Sequence, residues 1–366
     1  MISNQRGSTA QDAPSYGVTW GGVPLHARRA MTVAVATLVA AGLAGPTAAS
    51  AATTTSASSA DQVSVIVREL EGAGNAPERA VSAFGGSVGR QLDILGGFTA
   101  AVPADRLDAL RGVAGVASVT EDAGLALQST DVESQAAQAG SLYTIANQVT
   151  GASAMWNAGY TGKGVDVAVI DSGVVPVDGF KTPGKIVYGP DLTLENNTPA
   201  KNLDTYGHGT HMAGIIGGRD SAAGSVSGNS TDFVGMAPDS RIVSIKVADA
   251  KGQTDVSQAI AAIDWVVSNR NKNGLNIRVL NMSFGTDGVQ DYLLDPLAYA
   301  AEQAWHKGIV VVVAVGNQGQ GTLKVNNPAY DPYLIAVGSD NANGTATPAD
   351  DAVSSFSNSG NGTRNP

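Results

Sequence analysis

Short apolar runs, each closed by a glycine or a polar side chain, alternate along the second half of this chain with segments of helical spacing. Residues 165–170 and 309–315 are almost wholly β-branched or apolar, the composition of strands buried on both faces of a sheet. Residues 241–247, 277–282 and 334–337 read as three more strands. Between them, 255–269 places Val256, Ile260, Ile263 and Val267 on one side of a helix, and 296–306 reads as a second helix. A short helix is expected over 152–158. Strands alternating with helices predict an α/β domain built on a doubly wound, mostly parallel sheet.

The first part of the chain has a different pattern. A strand is expected at 63–67, a helix at 76–84, and two strands within 87–102 about a turn at Gly96-Gly97. A helix at 104–110 and a strand at 116–121 follow. The order β-α-β-β-α-β is a split βαβ arrangement, a small α+β domain over 61–125. A Thr/Ser/Ala-rich linker at 52–60 precedes it, and an Ala/Gln/Ser-rich stretch at 126–140, low in apolar periodicity, reads as a processing linker. Ahead of both, Arg28-Arg29 leads into an apolar run at 31–45 that ends in small residues and Ala49-Ser50-Ala51. A positive flank, a short hydrophobic core and an A-x-A site make residues 1–51 a secretory signal peptide, and the core is too short to span a bilayer comfortably. The residues that flank a twin-arginine signal are absent. The expected product is secreted and extracellular, with its larger domain at 141–366.

Composition narrows the possible functions. The 366 residues, 43% hydrophobic and 15% charged, suffice for one large core and a small one. A net charge of −10 argues against nucleic acid as a partner, because phosphate binding needs clustered Lys and Arg. The chain has no cysteine, which excludes disulfides, thiolate metal sites and a Cys nucleophile.

Candidate chemistry gathers at three places. Asp171 closes the strand run at 165–170, where open α/β sheets form ligand crevices, although alone it reads rather as a cap of the following turn. His208 stands between glycines in Asp204-Thr205-Tyr206-Gly207-His208-Gly209-Thr210-His211, at the start of an apolar helix. Asn317 follows Gly316 at the end of the 309–315 strand. His208 and His211 are three apart and could form a metal pair, but no Glu stands between them and no third ligand is evident. His211 reads as a packed or hydrogen-bonded neighbour. Gly162-Lys163-Gly164 precedes its strand, so it is no dinucleotide fingerprint.

Together these stretches resemble the Asp, His and oxyanion-Asn motifs of the subtilisin-like serine proteases, the subtilases, over roughly residues 141–360. The resemblance implies that Asp171 orients His208, that His208 is the general base and that Asn317 donates to the oxyanion. It implies that Ser283-Phe284-Gly285 pairs with extended substrate, that Lys251-Gly252-Gln253 forms the opposite edge, and that Ala314, Val315 and Gly316 line the pocket before the scissile bond. Residues 61–125 resemble the family's inhibitory propeptide. Expected partners are protein or peptide substrates and the chain's own propeptide, with no membrane association after processing and a monomeric state. No cofactor is required for the chemistry; structural calcium is common in the family, but no ligand set is assignable from the residues.

The family's nucleophile stands in Gly-Thr-Ser-x-Ala-x-Pro, well after the segment matching 354–360, and these 366 residues contain no Gly-Thr-Ser. Gly362-Thr363 is followed by Arg364. The expectation is a subtilase precursor cut off before its serine and inactive as it stands, with apolar strands 165–170 and 309–315 losing part of their cover. The alternative is a non-catalytic secreted protein that keeps the subtilase surface for binding.

Overall fold

Strand β6 (Asp166–Asp171) is buried at every position and lies inside a six-stranded sheet. A computed structural model describes residues 61–127, 149–224, 232–288, 290–322, 324–343, 345 and 347–360. The segments read as signal peptide (1–51) and first linker (52–60), and 128–140 of the second linker, lie outside the described residues.

In chain order, with elements that are taken up below, the small domain contains β1 (Gln62–Glu69), α1 (Ala76–Ala83), β2 (Ser87–Leu92), β3 (Gly97–Pro103), α2 (Leu107–Arg111), β4 (Val116–Glu121) and β5 (Gly124–Leu127). The larger part contains α3 (Ala152–Asn157), β6, β7 (Ile186–Asp191), α4 (His208–Gly217), β8 (Arg241–Lys246), β9 (Gln253–Asp255) and α5 (Val256–Asn269). It continues through β10 (Ile277–Met282), β11 (Phe284–Gly285), α6 (Pro296–His306), β12 (Val310–Ala314) and β13 (Ile335–Val337).

The large sheet runs β13-β12-β10-β6-β8-β7, and every pairing in it is parallel. Alternation along β6 sorts the layers. Ala168 and Ile170 enter the cluster formed with α5 and α6, which includes Ile260, Ile263 and Ala300. Val167 and Val169 pack on the other face with Ala213 of α4 and Phe180. Helices on both faces of a parallel sheet make the α/β doubly wound architecture expected from the sequence.

Strand β7 was not expected. Gly189-Pro190 interrupts it, and its register with β8 shifts between Tyr188 and Asp191. An edge strand tolerates a proline that a central one would not. Of the two strands expected to lose part of their cover, β6 does not. Strand β6 is completely covered, whereas Val310 on β12 is 39% exposed and Ile335 and Val337 on β13 are 45% and 47% exposed. The uncovered apolar face therefore lies at the β12–β13 edge.

The small domain is an antiparallel sheet ordered β2-β3-β1-β4, with α1 and α2 packed over Val65, Val67, Phe98 and Val119. Its opposite face presents Ile66, with Leu92 and Leu95, to the cluster containing α5 and α6. The Arg68 guanidinium lies 3.8 Å from the centroid of the Tyr299 ring and donates to the carbonyl of Leu293. Ala126 and Leu127, read from the sequence as the start of a linker, instead form the second half of β5. That strand pairs antiparallel with β11 on one side and β9 on the other.

Candidate active site

Both ends of the Asp–His pair are fixed by their local sequence. Asp171 is the last residue of β6, and Ser172-Gly173 turns the chain away, Gly173 at φ +105°. His208 is the first residue of α4, preceded by Gly207 at φ +105°. Left-handed backbone at these two positions favours glycine. Gly209 is required for a different reason: a Cβ there would stand 2.2 Å from the carbonyl oxygen of Gly173. The glycine after the histidine thus lets α4 approach the aspartate turn.

Through that approach the His208 Nδ1 comes 2.9 Å from each carboxylate oxygen of Asp171. The Asp171 side chain is 1% exposed and that of His208 9%. A carboxylate so buried must be compensated, and the N–H of Ser172 donates to Oδ1 at 2.8 Å in addition to the imidazole. This is the geometry in which a carboxylate fixes the tautomer of a histidine and stabilises its protonated form.

Asp204 braces the pair and was not identified from the sequence. Its carboxylate accepts the N–H groups of Gly207 and Thr210, both at 2.7 Å, and of Tyr206 at 3.1 Å, so it caps the helix that begins with His208. It also accepts the Ser172 hydroxyl at 2.7 Å, and that oxygen accepts the N–H of Gly209 at 2.9 Å. Burial alone would raise the Asp204 carboxyl, but the Gly207 and Thr210 donors and the Ser172 hydroxyl outweigh it and hold it below the usual carboxylate range. An Asp four residues ahead of a glycine-flanked His was the available signal.

Asn317 follows β12 at the same end of the sheet, half-buried, its side chain without a hydrogen-bond partner among the described residues. Asn358 brackets it. The Asn358 N–H donates to the Gly316 carbonyl at 3.0 Å and its Oδ1 accepts the Gln318 N–H at 2.7 Å. Its Nδ2 donates to Asn326 Oδ1 and Gln318 Oε1. Nothing in the local sequence announced this clamp.

The expected substrate edges are present with altered limits. Gly285 and Phe284 pair with Ala126 and Leu127, while the Phe284 side chain is fully buried. Ser283 makes no described strand pair, and its hydroxyl accepts from Asn281. On the other side the Gly252 carbonyl accepts the Leu127 N–H, and Gln253 to Asp255 pair with Ala126 to Gly124. Lys251 lies in the preceding turn, exposed and outside the ladder. A cavity of about 440 Å³ lies between Ala126, Leu127, Gly285, Gln318 and Asn326. Ala314, Val315 and Gly316 are not among its lining residues. Val315 is buried in the core, and Gly316 packs tightly enough against Asn326 and Asn358 to exclude a Cβ.

His211 is exposed and, contrary to expectation, its side chain makes no hydrogen bond among the described residues. Two turns of helix geometry explain this, because α4 buries Gly209, Ala213 and Gly217 instead. Of the late serines, Ser354 bonds to Ser339, Ser357 accepts the Ser339 N–H, and Ser359 donates to the Gln320 carbonyl. Among the described residues no three His, Asp or Glu side chains gather to hold a metal ion, so no calcium ligand set is assigned. No described helix is long and apolar enough to cross a membrane.

Residues 162–366 match the model of the subtilase family, peptidase S8. Serine protease AprX of Bacillus subtilis is 35% identical over 203 residues, 55% of this chain and 43% of that protein. Minor extracellular protease Epr of B. subtilis is 34% identical over 210 residues, 56% of this chain and 27% of its own length. Subtilisin of Bacillus pumilus is 35% identical over 193 residues, 52% of this chain and 62% of the relative. The matches thus span less than two thirds of each of these relatives. Fervidolysin from Fervidobacterium pennivorans, described as a keratinolytic enzyme related to subtilisin, superposes with a TM-score of 0.59 over 81% of this chain and 45% of its own. At 20% identity that likeness speaks to the fold alone. With the motif order, the sheet and the family match in agreement, this chain belongs to the subtilase family.

Proposed function

We propose that the chain is the Asp–His portion of a secreted serine endopeptidase, made as a precursor with its own inhibitory domain. The observation that carries this reading is the contact of His208 Nδ1 with both oxygens of buried Asp171, at 2.9 Å. In this reading His208 Nε2 takes the proton of a serine hydroxyl as that oxygen attacks the peptide carbonyl. Asp171 holds the imidazole in the required tautomer and stabilises the imidazolium until its proton passes to the leaving amine. Asn317 donates its side-chain amide to the oxyanion. The nucleophile belongs to a Gly-Thr-Ser-x-Ala-x-Pro segment outside residues 1–366.

The paired strands support the second part of the reading. Strand β5 of the small domain lies between β9 and β11, where extended substrate would add to both edges. Residues 61–127 then act as an inhibitor that leaves its last strand in the cleft. Export removes residues 1–51, and N-terminal sequencing of the secreted form is expected to begin after Ala51 or at a later processing point. Full-length protein retained in the cytoplasm argues against export.

The test of the catalytic reading is made in the precursor that extends through a Gly-Thr-Ser motif. His208→Ala and Asp171→Asn each reduce turnover by orders of magnitude, about 10⁴ or more, while a serine-directed fluorophosphonate labels the wild type once. Near-wild-type turnover in His208→Ala defeats the assignment. The 366-residue chain is expected neither to hydrolyse casein nor to label. Stoichiometric labelling of that chain would identify a nucleophile among its own serines, and a gene with no Gly-Thr-Ser motif would favour the non-catalytic binding reading.

A further inference from the structure

Lys246 ends β8 as the register neighbour of Asp171 on β6, and it is fully buried. An ammonium taken out of water is tolerated only where its protons find acceptors. Lys246 Nζ donates to the carbonyl of Ser172 at 2.7 Å and to that of Leu203 at 2.8 Å. It also lies 3.0 Å from the Glu195 carboxylate and 3.2 Å from the Thr205 hydroxyl oxygen. Thr205 donates its own proton to Glu195 at 2.9 Å, so one acidic side chain completes the cluster. Glu195 retains 21% exposure, which makes it the solvent end of the arrangement.

The acceptors lie on two separate pieces of chain. Ser172 directly follows Asp171, and Leu203 and Thr205 lie just ahead of His208. One ammonium therefore grips the main chain on both sides of the Asp–His contact. The next residue completes the hold: the Val247 N–H donates to the Asp171 carbonyl at 2.8 Å. An apolar side chain of equal volume would fill the space but leave the two carbonyls unbonded.

We propose that Lys246 is a positioning residue that sets the Asp171–His208 hydrogen bond by pinning the backbone segments carrying both partners. Its consequence for turnover rests on the protease reading above, but the geometric claim does not. The two are separated by reading the His208 Nδ1 proton directly by NMR in the full 366-residue chain, where no turnover is needed. In the wild type this proton gives a far-downfield resonance. In Lys246→Met it exchanges with water at least about tenfold faster, or is lost, while the backbone amide spectrum away from the site is retained. In the serine-containing precursor the same substitution lowers kcat about 10²-fold with KM within about twofold.

Should Lys246→Met fail to fold, Glu195→Gln combined with Thr205→Val keeps the ammonium and its two carbonyls but removes the carboxylate charge and the hydroxyl beside it. That variant is expected to speed the exchange about threefold. An unchanged Nδ1 resonance and exchange rate in whichever variant folds overturns the proposal. A precursor that shows no turnover even as wild type defeats the protease reading and leaves the NMR result to decide the role of Lys246.

Discussion

The main-chain N–H of Leu127 donates to the carbonyl of Gly252 across 2.9 Å, joining the last described strand of the small domain to the edge of the cleft. Leu125 and Leu127 on that strand are 3% and 6% exposed. Burying a leucine side chain is worth about 1.5–3 kcal/mol, and each backbone hydrogen bond adds about 0.5–1.5 kcal/mol net. A separately expressed segment of residues 61–127 should therefore inhibit the active protease at micromolar concentration or below. A version ending at Ala123 should inhibit at least about 10²-fold more weakly, from the loss of some 3 kcal/mol. Equal inhibition constants for the two would place the binding energy in the β1–α6 contacts and remove β5 from the cleft.

Asp204 touches both carriers of the Asp–His pair. Replacing it with Ala removes a helix cap, worth about 0.5–2 kcal/mol, and frees the Ser172 hydroxyl. We expect Asp204→Ala to unfold at lower urea concentration by about that amount and to lower kcat at least about tenfold at little-changed KM. A variant with lower stability but unaltered kcat would make Asp204 a cap and nothing more.

What could be read from the sequence follows from what periodicity reports. Runs of apolar residues register burial, so β6, β10, α5 and α6 were legible to within a residue. The histidine motif was legible because its glycines answer a local demand, the contact of Gly209 with the Gly173 carbonyl. Strand β7 was not, since Gly189-Pro190 breaks a run that an edge position tolerates. Strand β5 was missed because four small and apolar residues resemble a linker until partners more than a hundred residues away are known. Asp204, Asn358 and Lys246 escaped for the same reason: each acts through hydrogen bonds between segments, which leave no repeat in the chain.

Asn317 and Asn358 should separate cleanly by experiment. Asn317→Ala removes a donor to the transition state and is expected to lower kcat about 10²–10³-fold with little change in KM or stability, the range found for loss of one oxyanion donor in subtilisin. Asn358→Ala instead leaves the Gln318 N–H and the Asn326 Oδ1 without partners inside the protein. Unsatisfied buried groups cost about 1–3 kcal/mol each, so this variant should lose stability as well as kcat. Thermal unfolding and kcat measured on both variants test the distinction; an Asn358→Ala protein as stable as wild type contradicts the clamp.

Lys185 makes stability depend on pH at the opposite end of the sheet. Burial pushes its ammonium down to about 8; the nearby Asp239 opposes this and Arg219 reinforces it. Its Nζ donates to the carbonyls of Ser240 at 2.7 Å and Pro238 at 2.5 Å. An unfolded lysine titrates near about 10.4. Between about pH 8 and 10.4 the unfolded chain therefore holds a proton that the folded protein has largely released, and stability from this group rises with pH. Below about pH 8 both states are protonated and the burial penalty is fully present. Lys185→Met has no proton to lose, so the stability of the wild type relative to the variant should climb across that window and level off at either side. Denaturant unfolding of both proteins from pH 7 to 10.5 measures the difference while cancelling the other titrating groups. A difference that stays flat, or falls as the pH rises, would mean that Lys185 keeps its proton in the folded state through the whole range.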